Sequence, residues 1–286
     1  MLGIIPAAGF GTRLLPITKA IPKVLLPLGP FPLLHYIFEE AYNAGIREVI
    51  IVTHWREEVI RWYFEEFPEE AKNELKRLGK EHILEKTKFF EDANIHFVHQ
   101  KKLTGLAGAI LEAERFINDT FVVLLGDNLL IEQNPGDFLK KLIRVHVSGK
   151  STASFGVSPV KDVTRVGVID VIKTLKIDDA KAYLVRRVVE KPKPEEAPSN
   201  LGVMGRYVFE PEVLDYLRKA PMVSGELSET DAFTEMVKDG KKVIGVEYTG
   251  RWYDIGHPDA YIISFFEICL RKYDWLRNFV RQLLSK

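Results

Sequence analysis

The sequence predicts an α/β fold: a mostly parallel mixed sheet flanked by helices, followed by C-terminal helices. Three observations predict it. In the first half, short runs rich in Val, Ile and Phe alternate with segments of helical spacing. Strands separated by helices imply βαβ units with right-handed parallel connections. After residue 151 a second group of β-rich runs follows with less regular joins, and from about Pro258 the pattern is amphipathic helix.

Along the chain, LGIIPA (2–7), EVIIVTH (48–54), IHFVHQ (95–100) and TFVVLLGD (120–127) have the composition of strands buried on both faces. LLHYIFEEAYNAG (33–45), stopped by Gly45, and GLAGAILEAERFI (105–117) have helical spacing. The charged segment 57–90 reads as a solvated helical excursion. Beyond it, TASFGVSPV, RVGVIDVI, KAYLVRRVVEKP and NLGVMGRYVFEP read as strands, 211–219 and 228–239 as helices, and KKVIGVEY (241–248) as one more strand. The Pro-rich stretch 190–200 reads as a loop at a site. No low-complexity linker divides the halves, so 1–256 is expected to be one domain and 257–286 a helical extension. The apolar face of that extension either covers the core or makes a subunit contact.

Composition narrows the function. With 40 Lys+Arg against 40 Asp+Glu the net charge is zero, so no global basic field exists to hold nucleic acid. The single cysteine, Cys269, excludes an internal disulfide or a multi-cysteine zinc cluster and reads as a buried packing residue. The N-terminal apolar run is too short for a signal peptide, and no stretch approaches the roughly 20 apolar residues that span a bilayer. A cytoplasmic location, with no membrane and no nucleic-acid partner, is the expectation. The histidines form no HExxH, and no GxSxG elbow supplies a serine nucleophile. Trp55, Trp62, Trp252 and Trp275 read as core or interface residues.

The strongest local signal is IIPAAGFGTRLLPITKAIPKVLLPL (4–28). After a strand, Ala8, Gly9 and Gly11 let the backbone approach a ligand, and consecutive N–H groups in such a turn form an anion site. Thr12, Arg13, Lys19 and Lys23 follow closely, and a triphosphate needs this mixture of backbone donors and cations. The dinucleotide fingerprint fails, because Leu14 stands where its third glycine belongs. Walker A fails as well: Arg144 holds the first glycine position before Gly149–Lys150–Ser151. Asp127, past the end of a hydrophobic strand, can hold Mg²⁺ against phosphate or cap a turn with Asn128; the residues alone leave both open. Asp254 in RWYDIGHPDAY and the Glu190–Lys191 pair in VVEKPKP also have ordinary readings, as a loop aspartate and a surface pair.

The long pattern GxGTRxxPxTxxxPKxxLP resembles the signature of the sugar-1-phosphate nucleotidylyltransferase family, and TKAIPKVLLPL is most similar to its UTP–glucose-1-phosphate uridylyltransferase branch. The resemblance runs in order from Ile4 to about Tyr261. It implies the Rossmann-like nucleotide-diphospho-sugar transferase fold, with 1–150 the nucleotide-binding half and 151–256 the sugar-binding half. It implies UTP and glucose 1-phosphate as substrates, Mg²⁺ on Asp127 and Asp254, and triphosphate held by the glycine-rich turn, Arg13 and Lys23. Lys191 would bind the attacking phosphate and Glu190 the sugar hydroxyls. Gly167 and Val203 would lie beside the sugar, Asn128 would contact substrate, and Gln100 and Gly105 would lie beside the pyrimidine. A homo-oligomer, dimer or tetramer, is also expected. Two departures bear on the choice of base: GDN at 126–128, and GELSETDAF at 225–233, which keeps Thr230–Asp231 but changes the residues before them. A dTTP-preferring thymidylyltransferase is therefore the alternative, and an inactive sugar-nucleotide-binding regulatory subunit the alternative from another class.

Overall fold

The computed structural model describes residues 1–285. Strand β1 (Leu2–Pro6) leads through the glycine-rich turn to a small ladder of β2 (Pro27–Leu28) and β3 (Phe31–Pro32), then α1 (Leu33–Asn43) and β4 (Glu48–Thr53). Helices α2 (Glu57–Phe64) and α3 (Glu69–Arg77) make up half of the charged excursion, and α3 has no buried residue. Then come β5 (Asn94–His99), α4 (Gly105–Glu112), β6 (Phe121–Leu124), β7 (Asn128–Ile131) and α5 (Asp137–Gly149).

The second half supplies β8 (Ala153–Pro159), β9 (Gly167–Ile177), β10 (Ala180–Glu190), β11 (Leu201–Phe209) and α6 (Val213–Lys219). A hairpin of β12 (Met222–Val223) and β13 (Glu226–Leu227) precedes α7 (Glu229–Lys238), β14 (Val243–Glu247) and β15 (Arg251–Asp254). Helices α8 (Pro258–Lys272) and α9 (Asp274–Leu284) close the chain.

One sheet crosses both halves in the order β5-β4-β1-β6-β11-β8-β14-β10-β9. It is parallel from β5 to β6 and mixed beyond, where β11 runs against both β6 and β8. The expected mixed sheet is thus present, and the halves share it. Alternation along β1 explains the two-layer core: Ile5 packs on the α1 and α5 side with Ile37 and Phe38, and Ile4 packs with Ile110 and Phe121 on the α4 side. Because β4 and β6 flank β1 on opposite sides, the chain reverses direction across the sheet there. In open α/β sheets such a switch point opens a crevice beyond the strands' carboxyl ends.

Two expectations are narrowed. Trp55, Trp62 and Trp275 are 48%, 66% and 66% exposed, which removes the core alternative and leaves the interface one. The C-terminal helices do not cover the core equally. Helix α8 buries Ile268 and Cys269, as expected of the cysteine, whereas α9 buries no residue. No helix among the described residues is long and apolar enough to cross a membrane.

Candidate active site

Two adjoining clefts open at the switch point. The first, of about 340 Å³, is floored by Ala8, Gly9, Gly11 and Thr12 after β1, with Gln100 and Gly105 on its far wall. Gly11 has φ +65°, a left-handed conformation that glycine adopts without steric cost. A Cβ there would stand 3.0 Å from Thr18 Cγ2 and 3.1 Å from Lys23 Cβ. The turn is fixed from behind by the Thr18 hydroxyl, which donates to the Gly11 carbonyl oxygen at 2.9 Å. Gln100 is held after β5 by its N–H to Thr53 O at 2.7 Å, and its side-chain amide donates to Gly105 O at 3.3 Å.

The second cleft, of about 160 Å³, is lined by Gly167, Glu190, Lys191, Val203, Glu229 and Thr230, among others. Lys191 holds a positive φ of 42° just past β10 and pairs with Glu190 at 2.8 Å. A non-glycine residue in that conformation is strained, a feature that clusters at functional sites. The Glu190 hydrogen bond raises the Lys191 pKa, burial opposes it, and the nearby carboxylates Glu229 and Glu226 add to the rise. Lys191 therefore stays charged. Burial pushes Glu229 up to about 7, with help from Glu190 and Glu226 and against Lys191. Tyr207, buried against Glu229, Glu190 and Asp127, is raised well above the ordinary phenol range.

Leu125 and Asp127 line both clefts. Asp127 thus stands at the seam. Burial would raise its pKa, but the Lys23 ammonium 2.5 Å from Oδ2, with a hydrogen bond from Asn128, holds the carboxyl below its usual value. Asp254 arrives on β15, which pairs with β7 so that Asn128 faces Asp254. The two carboxylates converge on Gly256. A Cβ there would stand 2.8 Å from Asp254 Oδ1 and 3.7 Å from Asp127 Oδ2, so the missing side chain leaves room between them. Two carboxylates suit Mg²⁺, which usually takes one or two from the protein and the rest from phosphate and water. Among the described residues no group of three or more His, Cys, Asp or Glu could hold a metal alone.

Arg13 reaches the same place. Its Nη1 donates to His257 Nε2 at 2.6 Å and lies 4.0 Å from Asp254 Oδ2. Every site residue expected from the sequence therefore lines one of the two clefts or touches Asp254 at their junction. Asn128 lines the second cleft, but its amide is spent on Asp127 and on the Gly205 N–H, which donates at 3.2 Å. Sequence reasoning missed His257, Glu229, Glu226 and Tyr207. For Glu226 and Glu229 the available signal is the departing stretch before Thr230–Asp231 in GELSETDAF (225–233). Of the two departing stretches, Asn128 and Glu229 line the second cleft, Glu226 lines the first, and Asp127 lines both.

A model of the nucleotidyl transferase family matches residues 2–269. A UTP–glucose-1-phosphate uridylyltransferase of Staphylococcus epidermidis is 40% identical over 98% of this chain and 97% of its own length. The enzyme of that name from Bacillus subtilis is 38% identical over 99% and 97%. Among solved structures, a UTP-bound UDP-glucose pyrophosphorylase from Acinetobacter baumannii superposes with a TM-score of 0.88 at 30% identity, over 99% of this chain and 98% of that one.

Proposed function

The chain belongs to the nucleotidyl transferase family, and from that premise we propose that it forms UDP-glucose and pyrophosphate from UTP and glucose 1-phosphate. The observation that carries the proposal is the position of Asp127, shared by a glycine-floored cleft and a lysine-walled one. Two polyanions have to meet at one atom in this reaction. A carboxylate that can share a divalent ion between them belongs at that seam.

In the proposed reaction a phosphate oxygen of glucose 1-phosphate attacks the α-phosphorus of UTP in line. The new P–O bond forms as the bond to the bridging oxygen of pyrophosphate breaks, and the electron pair leaves with pyrophosphate. No protein nucleophile is needed, because the attacking phosphate is ionised at neutral pH. The residues act by position and charge. N–H groups of the turn at Gly9 and Gly11 hold the triphosphate, with Arg13 and Lys23 as cations beside it. Gln100 and Gly105 meet the pyrimidine. Lys191 binds the attacking phosphate and lowers its repulsion from UTP, while Glu190 accepts from sugar hydroxyls between Gly167, Val203 and Asn128. Asp127 and Asp254 would hold Mg²⁺, whose charge would offset that of the phosphates.

Pyrophosphate release with Mg²⁺, glucose 1-phosphate and each nucleoside triphosphate in turn tests the reading. Release that needs both substrates and is fastest with UTP is the expected result. Release fastest with dTTP would keep the mechanism and change the base; silence with every nucleotide and sugar phosphate would leave a binding protein. Asp127→Asn should cut turnover by about 10²–10³, the loss typical of a group that stabilises developing charge. Near-normal turnover in a folded variant would remove Asp127 from the mechanism.

A further inference from the structure

The largest side chain with no exposed surface in this protein is charged. Arg206 on β11 is 0% exposed, and its partner Glu40 on α1 is 3% exposed. The guanidinium Nε and Nη2 donate to the two Glu40 oxygens at 2.7 Å each. Two of its other three hydrogens go to backbone oxygens, from Nη1 to Gly205 O and from Nη2 to Asn128 O, both at 2.8 Å. An irregularity in β11 frames this arrangement: pairing with β8 jumps from Val203–Val157 to Tyr207–Phe155. Such bulges re-aim a side chain and occur often beside active sites.

The pair is tied to the catalytic turn by short steps. Asn128, whose carbonyl Arg206 holds, donates from its side-chain amide to Asp127 Oδ1 at 3.1 Å. The Asn128 side-chain oxygen accepts from Gly205 N–H, and Ile255 N–H donates to Asp127 O at 2.8 Å. Arg206 therefore stands directly behind the segment that carries Asp127 and pairs with the strand that carries Asp254. Stability gives no reason for the pair. A buried ion pair loses in desolvation much of what it gains in attraction, and an apolar pair of similar volume often serves a core as well or better.

We propose that Glu40 and Arg206 are positioning residues, whose buried pair locks the Asp127–Asn128 turn against β11 and so fixes where Asp127 and Asp254 meet the metal and the phosphates. The proposal rests on the functional reading above for the role of Asp127. It is tested with the apolar double variant Glu40→Met/Arg206→Met and with Arg206→Lys, which keeps the charge but loses the planar fork. Thermal unfolding, Mn²⁺ titration in the presence of UTP, amide exchange at Gly205 and Ile255, and steady-state kinetics are compared with the parent protein.

The double variant should stay folded while kcat falls and the Mn²⁺ dissociation constant rises, each by about 10–100-fold, as when a metal ligand loses its outer support. The KM for UTP should hold within about twofold, exchange at Gly205 and Ile255 should quicken, and Arg206→Lys should restore only part of the loss. A purely structural role would move the unfolding temperature and leave Mn²⁺ affinity alone. A folded double variant with kcat and Mn²⁺ affinity within about twofold of the parent overturns the proposal. So does failure of both variants to fold, which would make the pair a support of the whole fold. Silence of the parent protein with UTP and glucose 1-phosphate would sink the functional reading, and the Mn²⁺ and exchange comparisons would still decide this one.

Discussion

The two clefts are built in different ways. The floor of the first comes from one contiguous turn after β1, and in the proposed reaction it would act mainly through backbone N–H groups. The wall of the second is assembled from side chains of β9, β10, β11 and α7. A backbone floor is fixed by local glycine geometry and tolerates any base or ribose above it. A side-chain wall depends on the sheet bringing distant residues together, and there one substitution can change the ligand. Lys23 and Asp127, 104 residues apart, join the two.

If the walls divide the labour in this way, each can be broken alone. Lys191→Ala should have the largest effect, lowering kcat/KM for glucose 1-phosphate by about 10²–10³. UTP binding by calorimetry should stay unchanged, because Lys191 lines only the second cleft and the groove beyond it. A fall in UTP affinity as deep as the fall in turnover would show that the clefts do not act separately.

That division also explains what the sequence revealed. The glycine-rich turn was legible because its chemistry lies within one short stretch, and Asp127 because it follows a hydrophobic strand end. The sheet was legible because its strands are apolar and separated by helices. The β7–β15 ladder was not recognised as a pair. Its strands have four residues each, and their register, which sets Asp254 beside Asn128, is a tertiary fact. Arg206 reads as one polar residue inside a strand, and its partner lies 166 residues earlier. Glu229 fits the acidic first turn of α7 so well that nothing marks it as a cleft residue until the fold is known.

The floor is tested by Gly11→Ala. The φ of +65° leaves an L-residue strained by about 1–2 kcal/mol, and the new Cβ would press on Thr18 and Lys23. UTP should bind about tenfold more weakly by calorimetry if that strain is relieved by shifting the turn. The KM for glucose 1-phosphate should hold. Weakening of both substrates equally would mean that the turn supports the whole site and not one wall.

The smallest effect should come from Glu229→Gln, and it sharpens the comparison because Glu229, raised to about 7, belongs to the side-chain wall and not to the glycine floor. The folded carboxyl has a pKa of about 7 against an ordinary 4.5, chiefly through burial. The folded state therefore holds its proton more tightly than the unfolded chain, and stability falls as pH rises from about 4.5 through 7. In the cleft, ionised Glu229 would compete for Lys191 with the sugar phosphate of the proposed reaction. Activity with glucose 1-phosphate should then decline above pH 7 in the parent protein. The glutamine variant should lack that decline and be on the order of threefold more active at pH 8, while matching the parent near pH 5.5. Parallel pH profiles for the two proteins would mean that Glu229 is ionised throughout or faces away from the phosphate, and the titrating wall would lose its support.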